Sequence, residues 1–358
     1  MIHPASLRAR AFAEAQGIRV PILMAPMAGA CPPELAIAVS QAGGMGACGT
    51  LLLEPDAIGD WVRKVRAGSN GAFQLNIWIP DPAPARDPAH EARVRRFLEK
   101  WGPEVPAEAP DASGPDFEAQ CQAMLEAGPA VISSIMGLYP PEFVKEVKAR
   151  GIRWYATVTS VEEALQAEAA GADVIVAQGA EAGGHRGAFR AADAVDQQIG
   201  LFSLLPAIVD AVGLPVVATG GIADGRGVAA ALILGASAVQ IGTGLLRAPE
   251  AGTPQVWADA IGRARPEGTI TTRAFSGRLG RSIRTAYAQA AAAPEEPDPA
   301  PYPVQRALTG PMRAQATREA DIDRMQAWAG QSAGLSRAEP AGEIVARIWG
   351  EAEALLNA

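Results

Sequence analysis

Cysteine, histidine and tyrosine are scarce in this chain, with three, three and four copies among 358 residues, and each shortage excludes something. Cys31, Cys48 and Cys121 stand far apart, with no CxxC pair and no histidine at metal-ligand spacing, so a zinc site or a disulfide framework has no basis. No metal is expected, and the thiols read as reduced, as they are in a cytoplasm. No apolar run is long enough to span a bilayer, and the opening "MIHPASLRARAFAEAQG" lacks the continuous apolar core of an export signal. The expectation is a cytoplasmic protein with no membrane partner. Positive charge is also short: 31 Lys and Arg face 39 Asp and Glu, for a net charge of -8. That balance argues against nucleic acid as a partner, because a polyanion needs a positive face. A dinucleotide fingerprint is missing too, since "GTGLLR" and "GGIADGRG" both fail G-x-G-x-x-G. A mononucleotide-sized phosphate is the better expectation.

What the chain does have is apolar residues, at 49%, with a mean hydropathy of +0.07, enough for a large core. They recur as short runs at 21–27, 44–50, 73–79, 130–136, 153–158, 172–178, 215–221 and 237–243. Most are followed by a Gly-, Pro- or Asp-rich turn and then a helical pattern, as in "SVEEALQAEAAGA" (160–172) and "GRGVAAALILGA" (225–236). Eight continuous apolar strands alternating with helices predict an α/β chain folded as a (β/α)8 barrel, with a doubly wound sheet as the rival. The barrel is expected over 1–290. A proline-rich insertion at about 80–118 is long for a βα connection and is expected to fold as a flap over the catalytic end. Residues 291–358 read as a linker and a helical extension. Its last helix has apolar residues at 344, 345, 348, 349, 352, 355 and 356, one face that packs back onto the barrel.

In such a barrel the loops after the strands build the site, and a phosphate is commonly held after the seventh and eighth. In "ATGGIADGRG", Gly220 and Gly221 let backbone N–H groups approach an anion, and Asp224 can cap the helix that begins near Gly225. In "QIGTGLL", Gly242 exposes backbone and Thr243 adds a hydroxyl. One glycine loop could be only a tight turn; two adjacent ones read as a phosphate cradle. After the sixth strand, "GAEAGGHRG" sets His185 among Gly183, Gly184 and Gly187. A lone histidine is often just a satisfied structural group, but at the rim of a barrel it faces a ligand. With an ordinary pKa near ~6.5, its imidazole could take a carbon-bound proton or donate to an anionic oxygen.

Asn76 is an amide inside the apolar "FQLNIWI", where either a neighbouring backbone group or a ligand heteroatom must satisfy it. Gln178, Gln240 and the peptide groups of Met24, Ala25 and Pro26 in "MAPMAG" pose the same question. Several such groups around one barrel mouth suggest a flat, heteroatom-rich ligand such as a flavin. The basic stretch 275–285, with Arg273 before it, reads as a solvated or salt-bridging face.

The segments "PILMAPMAGA", "FQLNIWIP", "VAQGAEAGGHRG", "ATGGIADGRGVAAALILGASAVQIGTGLL", "YPVQRALT" and "WAGQ" together resemble nitronate monooxygenase, formerly 2-nitropropane dioxygenase. The resemblance implies a TIM barrel holding FMN without a covalent bond. It assigns FMN contacts to Asn76, Gln178, Gly183, Gly221, Gln240, Ile241, Gly242 and Thr243, with Gly221 and the last run at the phosphate. It makes His185 the active-site histidine and Tyr302 a residue of the substrate pocket. Where similar enzymes carry a second histidine on the fourth strand, this chain has Ile135, a more apolar wall for the substrate.

The implied reaction is oxidation of alkyl nitronates, such as propionate 3-nitronate, or of nitroalkanes by O2, to a carbonyl compound and nitrite. His185 would remove the α-proton of a neutral nitroalkane. The partners are then a small substrate and O2, with a homodimer as the candidate assembly. The alternative is an NAD(P)H-dependent FMN reductase acting on quinones or enoyl thioesters, since related barrels share the "GGH" loop and the phosphate cradle. Chemistry like that of inosine monophosphate dehydrogenase needs a cysteine after the sixth strand, and none is there. A non-catalytic flavin- or phosphate-binding barrel has no use for a histidine over the ring.

Overall fold

The computed structural model describes residues 3–109 and 114–358; residues 110–113 of the expected insertion lie outside the described residues. Its strands are β1 (Ile22–Met24), β2 (Gly46–Gly49), β3 (Phe73–Trp78), β4 (Val131–Ile135), β5 (Arg153–Val158), β6 (Val174–Gln178), β7 (Gly184–His185), β8 (Val216–Thr219), β9 (Ala238–Ile241), β10 (Thr269–Thr272) and β11 (Gly280–Ile283). Eight of them run parallel in the order β1-β9-β8-β6-β5-β4-β3-β2. A parallel bridge between Leu23 and Met45 joins the two ends, so the sheet closes as a (β/α)8 barrel. All eight strand expectations coincide with these strands. Nearly every residue in them is buried, as expected where helices cover the outside and side chains fill the inside.

The floor of the barrel is plugged by the helix Pro4–Gln16. Its Phe12 and Ala13 pack with Leu23, Met45, Tyr155, Val176 and Val217, and Tyr155 Oη donates to Gln16 Oε1 at 2.6 Å. A floor sealed this way leaves the opposite end as the place for a ligand. Strand register brings polar residues together there: Asn76 pairs with Ser133, Gln178 with Thr219, and Thr219 with Gln240.

Helix starts follow local chemistry. Asp224 caps Gly225–Ile233 by accepting from Gly227 N at 3.1 Å, as expected from its position. The last helix, Ala341–Asn357, buries the predicted face except for Leu355, which is 50% exposed. It packs against the helices Gly225–Ile233 and Pro33–Gln41, filling the outer ring between the barrel's last and first helices. A Cβ on Gly225 would come within 2.3 Å of Glu351 Cβ, so glycine is what permits this close approach. Among the described residues, no helix is long and apolar enough to cross a membrane.

The cover over the mouth differs from expectation. The insertion does contain a helix, Pro88–Leu98, capped by Asp87, but none of its described residues lines the cavity below. Its apolar face (Val94, Phe97, Leu98) is instead buried against Phe275, Tyr287, Leu308 and Met312 in a second, smaller core. The cover is built from residues 306–332, and the insertion buttresses it from behind.

Candidate active site

A cavity of about 540 Å³ opens at the carboxyl ends of the barrel strands. Ala25, Pro26, Asn76, Ile135, Gln178, Gly183 and His185 line it, as do Gly220, Gly221, Gln240, Gly242 and Thr243. Three expected contacts lie off the wall. The Met24 and Ile241 side chains point into the barrel's outer core, and the Met24 carbonyl already accepts from Gln74 Nε2 at 3.1 Å. Tyr302 is not among the lining residues; its ring packs on that of Trp78, which is, with centroids 5.4 Å apart.

At one end, the two glycine loops do form a cradle. The backbone N–H groups of Gly221, Ile222, Gly242 and Thr243 face the cavity with no acceptor among the described residues. Ile222 is buried and the other three are half-buried, and four unpaired N–H groups on adjacent glycine loops suit an anionic ligand. The cover is tied to the same loops: Gly330 N donates to Thr243 Oγ1 at 3.0 Å and Ser332 Oγ to the Gly221 carbonyl at 2.5 Å. Gly183 makes this possible, because a Cβ there would lie 2.5 Å from Gly330 N.

In the middle, amides and a hydroxyl form a chain. Asn76 Nδ2 donates to Ser133 Oγ at 3.0 Å, Ser133 Oγ to Gln74 Oε1 at 3.0 Å, and Gln74 Nε2 to Gln240 Oε1 at 3.2 Å. Both readings of Asn76 are therefore realised: its donor is satisfied by protein, while its Oδ1 stays unpaired on the cavity side, as does Gln240 Nε2. Gln178 is spent differently, donating to the His185 carbonyl at 3.0 Å and accepting from Gly187 N at 2.8 Å. It clamps the histidine loop.

At the other end stands His185. The "GGH" stretch is not a bare loop: as β7 it pairs antiparallel with β11, His185 opposite Gly280. Its ring is held edge-on between Trp78 at 4.6 Å and Trp328 at 4.7 Å, with Nε2 2.7 Å from Ser276 Oγ. Burial pushes its pKa down to about 3, helped by the positive charges of Arg278, Arg306 and Arg313. The ordinary value expected from sequence does not hold, and the imidazole is neutral at physiological pH. Ile135 lines the cavity here and presses on Gly187, where a Cβ would come within 2.9 Å of Ile135 Cγ1.

The family model for nitronate monooxygenase matches residues 10–351. The chain belongs to the nitronate monooxygenase family. It is 39% identical over 345 residues to a nitronate monooxygenase of Paraburkholderia phytofirmans, covering 95% of this chain and 94% of that one. A probable nitronate monooxygenase of Staphylococcus aureus is 34% identical, covering 92% and 94%. Among solved structures it is similar to nitroalkane oxidase from Streptomyces ansochromogenes, with TM-score 0.87, 33% identity and coverage of 96% and 99%. FabK from Thermotoga maritima is similar with TM-score 0.77, 29% identity and coverage of 97% of each chain. Family members are FMN-dependent oxidoreductases.

The cavity's chemistry suits that cofactor class: unpaired N–H groups for a phosphate, then a free acceptor and a free donor for a heterocycle's edge. Among the described residues no side-chain cluster could hold a metal, and all three cysteines are buried and unpaired. Sequence reasoning missed Trp78, Ser276, Arg306, Arg313 and Trp328. Trp78 and Trp328 lay in segments already singled out, and Ser276 lay in the stretch read as solvated. In that stretch Arg278 is buried, pairing with Asp81 at 2.7 Å, and Arg281 donates to the Ala180 carbonyl at 2.9 Å, bracing the histidine loop.

Proposed function

We propose that this chain binds FMN in the 540 Å³ cavity and oxidises alkyl nitronates with O2 to carbonyl compounds and nitrite. The overall reaction balances as two nitronates and one O2 giving two carbonyl compounds and two nitrites. The backbone of Gly221, Ile222, Gly242 and Thr243 would hold the phosphate, and Asn76 and Gln240 the ring edge, with Ala25 and Pro26 beside them. Bound FMN supplies the redox capacity that links substrate to O2.

The observation that carries the choice of nitronate is the state of His185. An imidazole with a pKa of about 3 holds a proton poorly, so removing one from the carbon of a neutral nitroalkane is uphill. A nitronate has already lost that proton. Towards it, neutral His185 adds no charge and takes no proton, and with Trp78 and Trp328 it keeps water off the reacting carbon.

The test compares a nitronate with its parent nitroalkane at the same pH, using the FMN-loaded protein and nitrite release as readout. Faster turnover of the nitronate by about 100-fold or more is expected, the contribution that base catalysis makes where it operates. Equal turnover of both would assign His185 a base role and contradict this reading.

A further inference from the structure

We infer that Cys31 and Cys48 are a peroxide-sensitive dithiol whose oxidation to a reversible disulfide clamps the cavity loop 25–30 to β2. The inference goes beyond the nitronate reading and does not depend on which substrate is turned over.

None of the three cysteines enters the chemistry above, and their surroundings are not alike. Cys31 follows Ala30, which lines the cavity, and keeps 8% of its surface exposed. Cys48 stands on β2, and the residue after it, Gly49, donates its N–H to Cys31 Sγ at 3.2 Å. The Cys48 S–H donates to the same sulfur. Two thiols in contact between a loop and a strand are already placed as the halves of a disulfide. Cys121 is the contrast: on the helix Phe117–Ala127, its thiol is pushed up to about 12 by burial, with Glu118 and Asp116 adding to the effect.

The contacts give the pair an order of reaction. The Cys48 S–H, and the N–H groups of Gly49, Met27 and Ala30, favour a thiolate at Cys31 against burial and hold this thiol below its ordinary value. Converging peptide N–H groups are what an anion needs. Cys48 is held well above its ordinary value by its hydrogen bond to Cys31, by burial and by the Cys31 charge, so it keeps its proton. Cys31 is therefore the attacking sulfur. Its thiolate attacks one oxygen of hydrogen peroxide, the O–O bond breaks, and a sulfenic acid and hydroxide form. With the Cys31 charge gone, hydroxide takes the Cys48 proton, and the new thiolate displaces hydroxide from the sulfenic sulfur to close the S–S bond. The sulfurs lose two electrons and the peroxide gains them, so that two thiols and one peroxide give one disulfide and two waters.

The loop has no slack to absorb the new bond. A Cβ on Gly49 would lie 2.6 Å from Ala28 N, and Trp61 Nε1 donates to the Cys31 carbonyl at 2.9 Å. Drawing the two sulfurs from hydrogen-bond contact into a covalent bond shifts the loop, and Ala25, Pro26, Met27, Ala28, Gly29 and Ala30 all line the cavity. Oxidation of the pair is thereby felt where the cofactor would sit.

The experiment treats the FMN-loaded protein with hydrogen peroxide, alkylates the remaining thiols after unfolding and maps the peptides by mass spectrometry. Expected are a linked Cys31–Cys48 peptide, lighter by two hydrogens than its reduced halves, Cys121 alkylated in full, and recovery of both thiols with dithiothreitol. Cys48→Ser should stop at a Cys31 sulfenic acid, trapped by dimedone, and Cys31→Ser should leave Cys48 reduced. The treated parent protein should also lose FMN on gel filtration and retain it again after dithiothreitol. Absence of the linked peptide from the parent protein, which needs no variant to fold, would overturn the dithiol, as would oxidation of Cys121 ahead of Cys31. A linked peptide with FMN fully retained would overturn the clamp on the cavity loop. No readout here involves nitronate turnover, so failure of the dithiol and failure of the nitronate reading are told apart.

Discussion

His185 Nε2 lies 2.7 Å from Ser276 Oγ, and the same hydroxyl lies 3.2 Å from the Arg278 carbonyl oxygen, to which it donates. A hydroxyl has one proton, and a carbonyl can only accept. Ser276 Oγ therefore accepts from the imidazole, which fixes the neutral ring with its proton on Nε2 and its lone pair on Nδ1. Ser276 thus acts as a positioning residue for His185.

Ser276→Ala should release that choice of tautomer. Only His3, His90 and His185 are present, so ¹⁵N spectra can resolve the ring nitrogens directly. One neutral tautomer is expected for His185 in the parent protein and a mixture in the variant, with kcat/KM lower by about tenfold, the effect of one lost hydrogen bond. Identical ring shifts in both proteins would show that something other than Ser276 orients the ring.

The depressed pKa of His185 has a consequence for stability. Its folded value, about 3, lies below the ordinary 6.5, so below pH 6.5 the unfolded chain binds a proton that the folded one refuses. Stability is complete above 6.5 and is lost as pH falls from there towards 3, at up to about 1.4 kcal/mol per pH unit. Urea unfolding at pH 6.5 and 5 should show a loss larger by roughly 2 kcal/mol in the parent than in His185→Gln. Parallel pH dependence of the two proteins would mean that the imidazole titrates normally in the fold.

Gly183→Ala tests the seam between the histidine loop and the cover. The new methyl would meet Gly330 N at 2.5 Å, in backbone that has no slack, at a cost of about 1–3 kcal/mol. The expected outcome is a lower Tm together with loss of FMN on gel filtration. Full FMN retention would show that the cover moves aside without disturbing the cradle.

Asn76→Leu removes the unpaired Oδ1 from the middle of the cavity at nearly the same side-chain size, together with the Nδ2 bond to Ser133 Oγ. FMN affinity, followed by fluorescence quenching, should weaken by about tenfold, the effect of one polar contact. An unchanged Kd would place the ring edge elsewhere.

Much of this was legible beforehand because it depends on local pattern. The eight strands are continuous apolar runs, and the paired loops "TGGIADG" and "QIGTG" declare their backbone chemistry through glycine. What escaped depends on contacts far apart in sequence. His185 and Ser276 are brought together across the pairing of β7 with β11, and the histidine's depressed pKa comes first from burial and then from three arginines, both of which only the folded chain assembles. The insertion was read as a flap from its length and prolines. Its apolar helix face, however, had a better surface available in Phe275 and Tyr287, and the cover was left to residues beyond 305. Tyr302 illustrates the same limit: its segment was recognised, yet it packs on Trp78 and is not among the residues that line the cavity.

The most direct measurement mixes the FMN-loaded protein with an alkyl nitronate in air and follows oxygen uptake and nitrite together, alongside an anaerobic mix with NADPH. Nitrite released as oxygen is consumed, with flavin absorbance unchanged by NADPH, is the expected result. Rapid bleaching of the flavin by NADPH, with no nitrite from any nitronate, would contradict it and identify the chain as a nicotinamide-dependent reductase.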